Sequence, residues 1–189
     1  MLISFIRHGM TVANENKLYC GRTDPPLSKN GIRLLAAQKN ETAYPEADIF
    51  VSSGLARADE TLRVIYGRGP DIVMDDLREM DFGDFEMKSY DMLKDNPDYI
   101  RWILDAQNVA CPNGESRNEF DARAAAGLKK LTELGYGSAV AVCHGGIVVS
   151  ILESLFPGEK NFYEWQPGYG LGYTIDTDAK KWKLIGSRS

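Results

Sequence analysis

The chain has 189 residues, with 22 Lys and Arg against 27 Asp and Glu and a formal net charge of −5. That length suits one compact domain over residues 1–189 with a sizeable core, and 43% hydrophobic with 26% charged residues is an ordinary balance for a soluble globular protein. An acidic chain argues against nucleic acid or an anionic membrane as partner, no apolar run reaches the length of a membrane-spanning helix, and the stretch MLISFIRHGM lacks the apolar length of a signal peptide.

In chain order, residues 2–6 (LISFI) read as a short buried strand. Ser28 reads as the N-cap of an amphipathic helix reaching about Lys39. Residues 48–52 (DIFVS) form a second strand, followed by a helix from about Leu55 to Tyr66 that Gly67 stops. Residues 71–74 (DIVM) are a shorter third strand. The stretch 89–135 is polar and helical, broken near Pro112–Gly114. Residues 138–143 (SAVAVC) are a buried strand, and Gly145-Gly146 opens a helix that ends before Pro157. LGYTID and KKWKLIG flank a turn at Asp178–Ala179 and read as a hairpin. Strands alternating with helices predict right-handed βαβ units, hence an α/β fold of three layers, α/β/α, around a mostly parallel sheet. The cysteines Cys20, Cys111 and Cys143 are odd in number and have no close pairing, as in a reduced, cytoplasmic protein.

In such sheets ligands bind beyond the carboxyl ends of the strands. The first strand ends in Arg7-His8-Gly9, the second in Ser52-Ser53 with Arg57 one helical turn on, and the fourth in His144-Gly145-Gly146. The chain has only two histidines, and both directly follow a buried strand. The site this composes suits a phosphoryl group. Arginine supplies a planar, permanently charged fork. Glycine lets backbone come close to a ligand, and helix N-termini after residues 9, 53 and 145 would direct N–H groups inward. Surrounding cations bias an imidazole towards its neutral, nucleophilic form. A leaving alkoxide also needs a proton donor. Glu79, Asp81, Asp84 and Glu86, in LREMDFGDFE just after the third strand, are the candidates, and physics alone does not choose among them.

The segments RHG (7–9) with Thr11 and Asn14, GRTDPPLSKNG (21–31), SSGLARADET (52–61), LREMDFGDFE (77–86), PNGES (112–116) and HGG (144–146) stand in the order and spacing of the histidine phosphatase superfamily, which includes the cofactor-dependent phosphoglycerate mutases. The chain resembles that family over most of its length. The resemblance implies a phosphoglycerate mutase-like fold and phosphorylation of His8. It implies a phosphate pocket completed by Arg7, Arg57 and His144, with Glu79 as proton donor. Asn14 and the Gly145 amide would be further phosphate contacts, and Cys20 and Gly21 would line the substrate side. It implies neither metal nor cofactor, and a small phosphorylated metabolite as substrate. Met10, Cys20, Gly54 and Met87 depart from the family's usual residues.

A mutase reading asks for extra basic residues in the middle insertion, and 89–111 holds only Lys94 and Arg101. Together with FG-x-F-E and P-x-G-E-S, this favours the phosphatase branch, and YCGRTDPPLS resembles alpha-ribazole phosphatases within it. Three other readings compete. Cys111-Pro-Asn-Gly-Glu-Ser-Arg117 matches C-x-x-G-x-x-R, the phosphate loop of cysteine-based phosphatases, but no buried strand precedes it. A non-catalytic phosphate-binding module would be expected to have lost the nucleophile or its ligands. Two histidines without paired carboxylates make a poor two-metal site. The aromatics Phe162, Tyr163, Trp165, Tyr169 and Tyr173 read as packing or as the contact of a homodimer, with a roof over the pocket as the alternative.

Overall fold

A computed structural model describes residues 1–186. The expected domain runs on to Ser189, and its last three positions lie outside the described residues. The strands are β1 (Leu2–Arg7), β2 (Ile49–Ser52), β3 (Ile72–Val73), β4 (Ser138–Cys143), β5 (Gly172–Asp176) and β6 (Lys181–Ile185). They form one sheet in the order β3-β2-β4-β1-β5-β6. The first four in that order run parallel, while β5 and β6 are an antiparallel hairpin added beside β1. The mostly parallel α/β fold and the terminal hairpin are as the sequence predicts.

Alternation along the strands divides the core into two. Ile3, Phe5, Ile49, Val51, Ala139 and Ala141 point to one face, against α6 (Arg117–Glu133) and α7 (Gly145–Leu155). Ile6, Phe50, Val140 and Val142 point to the other, against α2 (Lys29–Glu41) and α3 (Ala56–Tyr66). The central strands are apolar on both faces because helices cover both. Ser28 caps α2 through the Gly31 amide, and Gly67, left-handed at φ 72°, ends α3.

Three expectations need correction. The third strand keeps only Ile72–Val73, since Val73 is exposed and a 3-10 turn begins at Asp75. The region 89–135 is not one broken helix. It comprises α4 (Tyr90–Leu93), α5 (Pro97–Leu104) and α6, with residues 105–116 in turns where Asn and Asp side chains bond one another. After Gly9 no helix begins at once: the four-residue α1 (Val12–Glu15) starts behind the cap Thr11. The sequence reading also passes over α8 (Phe162–Trp165), capped by Asn161.

Candidate active site

β1 and β4 are hydrogen-bonded neighbours in direct register, Leu2 opposite Ser138 through Arg7 opposite Cys143. The next residue on each is a histidine, so the imidazoles of His8 and His144 lie with ring centroids 5.1 Å apart. Both are buried. The Gly9 carbonyl lies 2.6 Å from His8 Nδ1. A carbonyl only accepts, so Nδ1 carries the hydrogen and the Nε2 lone pair is free. Burial holds the His8 pKa well below 6.5, and the Arg57 charge adds to this. His144 is lowered in the same sense, by burial first and then by Arg57 and His8. Its Nε2 lies 2.8 Å from Ser53 Oγ, at the end of β2.

The two arginines are fixed by backbone carbonyls. Arg7 Nη1 donates to Pro167 O at 2.8 Å, and its guanidinium lies 3.9 Å from the centroid of the Tyr169 ring. Arg57, at the start of α3 and 1% exposed, donates to Thr23 O and Gly21 O at 2.8 and 2.7 Å. Neutral carbonyls supply these hydrogen bonds, and the exposed Asp24 carboxylate stands 3.8 Å from Arg57 Nη1. Arg7 Nε, Arg57 Nε and His144 Nδ1 are buried and have no hydrogen-bond partner among the described residues. The two arginine nitrogens are donors, and a buried donor costs free energy unless something accepts from it. The described hydrogen bonds also leave the Gly145 amide unused, at the N-terminus of the eleven-residue α7. A Cβ at Gly145 would stand 2.3 Å from Gln166 Nε2 and 3.2 Å from Arg7 Nε, so a larger residue there would displace the Gln166 side chain. The Gly9 amide, expected to face inward, instead donates to Thr61 Oγ1 at 2.8 Å, because no helix start opens behind it.

Among the four candidate carboxylates, contacts separate the roles. Glu79 Oε2 accepts from the Gly146 amide at 3.0 Å, two residues past His144, and Oε1 accepts from the Met80 amide. A Cβ on Gly146 would meet Glu79 Oε1 at 2.3 Å, so that glycine is the opening through which Glu79 joins the site. Glu86 accepts from the amides of Gly21, Arg22, Thr23 and Phe82 and ties two loops together. Asp84 takes the Asn113 side chain, and Asp81 caps Gly83 and pairs with Arg22 at 3.5 Å.

Asn14 turns its Oδ1 back onto Thr11 N and Oγ1, which leaves its amide NH2 available for a ligand. Gly21 contributes through its carbonyl, which holds Arg57, while its amide belongs to Glu86. A Cβ there would lie 1.6 Å from Met80 O. The Cys20 thiol reaches Thr23 O, and burial raises its pKa to about 11. The Cys111 thiol is buried, which pushes its pKa up to about 12 and disfavours the thiolate, and Arg117 is engaged by Asp121 and Glu153. Among the described residues no three His, Cys, Asp or Glu side chains gather as a metal site.

Sequence reasoning missed Arg123. From α6 it donates to the carbonyls of Asp76, Arg78 and Glu79 and forms a forked pair with Glu115. A lone arginine amid alanines carries no signal of this. Gln166 is likewise absent from the sequence reading, and Tyr169 is read there only within the aromatic set. The aromatic set divides: Trp165 and Tyr173 pack with Trp182, Tyr169 covers Arg7, and Phe162 and Tyr163 line a cavity of about 520 Å³ that also borders Glu79 and Gly146. A second groove, of about 450 Å³ and bordered by Met10, Leu34, Gln38 and Tyr169, holds none of the arginine or histidine donors.

The model of the histidine phosphatase superfamily (branch 1) matches residues 3–187. The chain belongs to that superfamily. An adenosylcobalamin/alpha-ribazole phosphatase of Escherichia coli (strain K12) is 31% identical to this histidine phosphatase over 187 residues, covering 95% of this chain and 92% of the relative. The crystal structure of the alpha-ribazole phosphatase from Shigella flexneri superposes with a TM-score of 0.84 at 28% identity, over 100% of this chain and 96% of that one. A phosphoglycerate mutase from Thermus thermophilus superposes with a TM-score of 0.73 at 31% identity, over 93% of each chain. The phosphoglycerate mutase-like fold and the membership expected from the motifs both hold. This histidine phosphatase is a hydrolase of small phosphorylated compounds, and none of its described helices is long and apolar enough to cross a membrane.

Proposed function

We propose that residues 1–189 form one catalytic domain that hydrolyses phosphomonoesters in two in-line steps through a phosphohistidine on His8. The observation that carries this is a neutral imidazole, its Nε2 free, placed beside His144 and among buried donors of Arg7 and Arg57 that lack acceptors among the described residues. In the first step Nε2 attacks phosphorus, the P–O bond to the alcohol breaks, and Glu79 gives its proton to the departing oxygen. In the second, water attacks phosphorus, Glu79 takes back a proton, and the N–P bond breaks to release phosphate and neutral His8. Arg7, Arg57, His144, the Gly145 amide and Asn14 hold the phosphoryl oxygens as charge shifts onto them, a task that asks for no metal.

Hydrolysis is favoured over mutase transfer by the cations of 89–111. Lys94 and Arg101 are both exposed and each pairs with an aspartate three residues earlier, Asp91 and Asp98. Neither lines the cavity beside Glu79. Action without nucleic acid, cytoplasmic residence and a homodimer complete the proposal, the last to be read from sedimentation.

The test is p-nitrophenyl phosphate hydrolysis in EDTA. Wild type and Cys111→Ser should turn over, and His8→Ala should lose at least about 10,000-fold in kcat. Glu79→Gln should slow alkyl esters more than p-nitrophenyl phosphate, whose leaving group needs little protonation. Turnover by His8→Ala at the wild-type rate would end the phosphohistidine account, and activity lost in EDTA and restored by a divalent ion would end the metal-free one.

A further inference from the structure

The cavity beside Glu79 is built unlike the phosphate pocket next to it. Its volume is about 520 Å³, in the range of pockets that enclose drug-sized ligands. Five chain segments bring aromatic rings to its lining: Tyr19, Phe82, Trp102 on α5, Phe120 on α6, and Phe162 with Tyr163 on α8. Three of them pack edge to face, Tyr19 against Trp102 at 5.8 Å and 87°, and Phe82 against Trp102 at 6.3 Å and 90°. Such packing holds rigid ring surfaces ready for another flat group.

Charge in the lining is nearly cancelled. Its charged members are Glu79 and Arg117. Arg117 is held by two carboxylates, Asp121 Oδ1 at 2.7 Å and Glu153 Oε2 at 2.6 Å. No cation is therefore left there for a carboxylate on the substrate, and a three-carbon acid would leave the aromatic surface unfilled.

Given the hydrolytic reading above, on which this rests, we infer that this cavity is the leaving-group subsite and that the substrate is a phosphomonoester whose alcohol carries an uncharged aromatic ring system. Glu79 stands at the boundary of the two pockets, where the bridging oxygen of such an ester belongs. Phosphate esters of small carboxylic acids are disfavoured by the same subsite.

The test compares 2-(1-naphthyl)ethyl phosphate, ethyl phosphate and 3-phosphoglycerate, three alkyl esters with unactivated leaving groups. The naphthyl ester should exceed the other two in kcat/KM by about thirtyfold, mainly through KM, from burial of its rings. Phe162→Ala should cut that ratio about tenfold, and Trp102→Phe, which keeps a ring, should cut it less. Equal kcat/KM on all three esters, or a preference for 3-phosphoglycerate, overturns the subsite and leaves phosphomonoester hydrolysis standing. Failure to hydrolyse any of them, together with failure on p-nitrophenyl phosphate, overturns the hydrolytic reading and the subsite with it.

Discussion

His8 and His144 are kept neutral by burial beside arginine, and that costs stability in acid. In the folded chain each imidazole takes its proton only well below pH 6.5, whereas in the unfolded chain it does so near 6.5. Below that value the unfolded state binds more protons, so stability falls as pH drops and levels off above about pH 7. With both groups contributing, the slope should approach about 2.7 kcal/mol per pH unit on the acid side. Urea unfolding at about pH 5.5 and about pH 7.5 measures it, and His144→Asn should roughly halve the difference. A wild-type stability that stays level across that window would mean that the folded histidines titrate normally. At this scale the sequence was informative for a clear reason: both histidines directly follow apolar runs, and a strand end is where such a fold places chemistry. For the acid, only the family resemblance pointed to Glu79, because the local chemistry of the residues does not. Four carboxylates crowd LREMDFGDFE, and what singles out Glu79 is the amide of Gly146, 67 residues away.

The loop that presents Glu79 has little regular structure of its own, only 3-10 turns on either side, and α6 supplies what it lacks. Arg123 binds three of its carbonyls, and Gly127 lets it lie close, since a Cβ there would stand 3.0 Å from Asp76 Cβ. Glu115 orients Arg123 and is itself held ionised: its pKa is lowered by the Arg123 hydrogen bond against the opposing effect of burial. Removing the arginine leaves a half-buried carboxylate and three carbonyls without their donor. Arg123→Ala should cost about 3 kcal/mol of stability, and the surviving enzyme should lose more kcat on alkyl phosphates than on p-nitrophenyl phosphate. Arg123→Lys should restore little, since a point charge cannot replace the fork. Thermal melts with the two substrate classes separate this from simple unfolding: an equal loss on both substrates would make Arg123 purely structural. None of this is written in RNEFDARAAAG, which reads as an ordinary solvated helix. Of the aromatic cavity, only Phe162 and Tyr163 were legible as a possible roof, because its rings come from five segments that only the tertiary fold assembles.

Across the whole molecule, the parallel strands deliver their carboxyl ends to one edge, and the proposed phosphate ligands come from β1, α1, α3, and the junction of β4 with α7. An oxyanion bound there would engage most of the sheet at once and would have no site in the unfolded chain. Vanadate at a hundredfold excess over its Kd should stabilise the protein by about 2.7 kcal/mol, read as a shift in the melting transition. His8→Ala should reduce that shift, and Cys111→Ser should leave it in place. A vanadate shift of the same size in His8→Ala and Arg57→Ala would place the oxyanion elsewhere.

The direct register of β1 on β4 has a consequence for how such an enzyme can change. Six residues of each strand are paired one to one before the two histidines appear, so their separation is set by counting along backbone ladders. Helices can be exchanged and loops lengthened without disturbing that count, which leaves the walls of the cavity free to drift towards new substrates. A single residue inserted in either strand would shift one histidine along the sheet and turn its side chain to the opposite face. Divergence in this architecture is therefore permissive in what it accepts and intolerant in how it reacts.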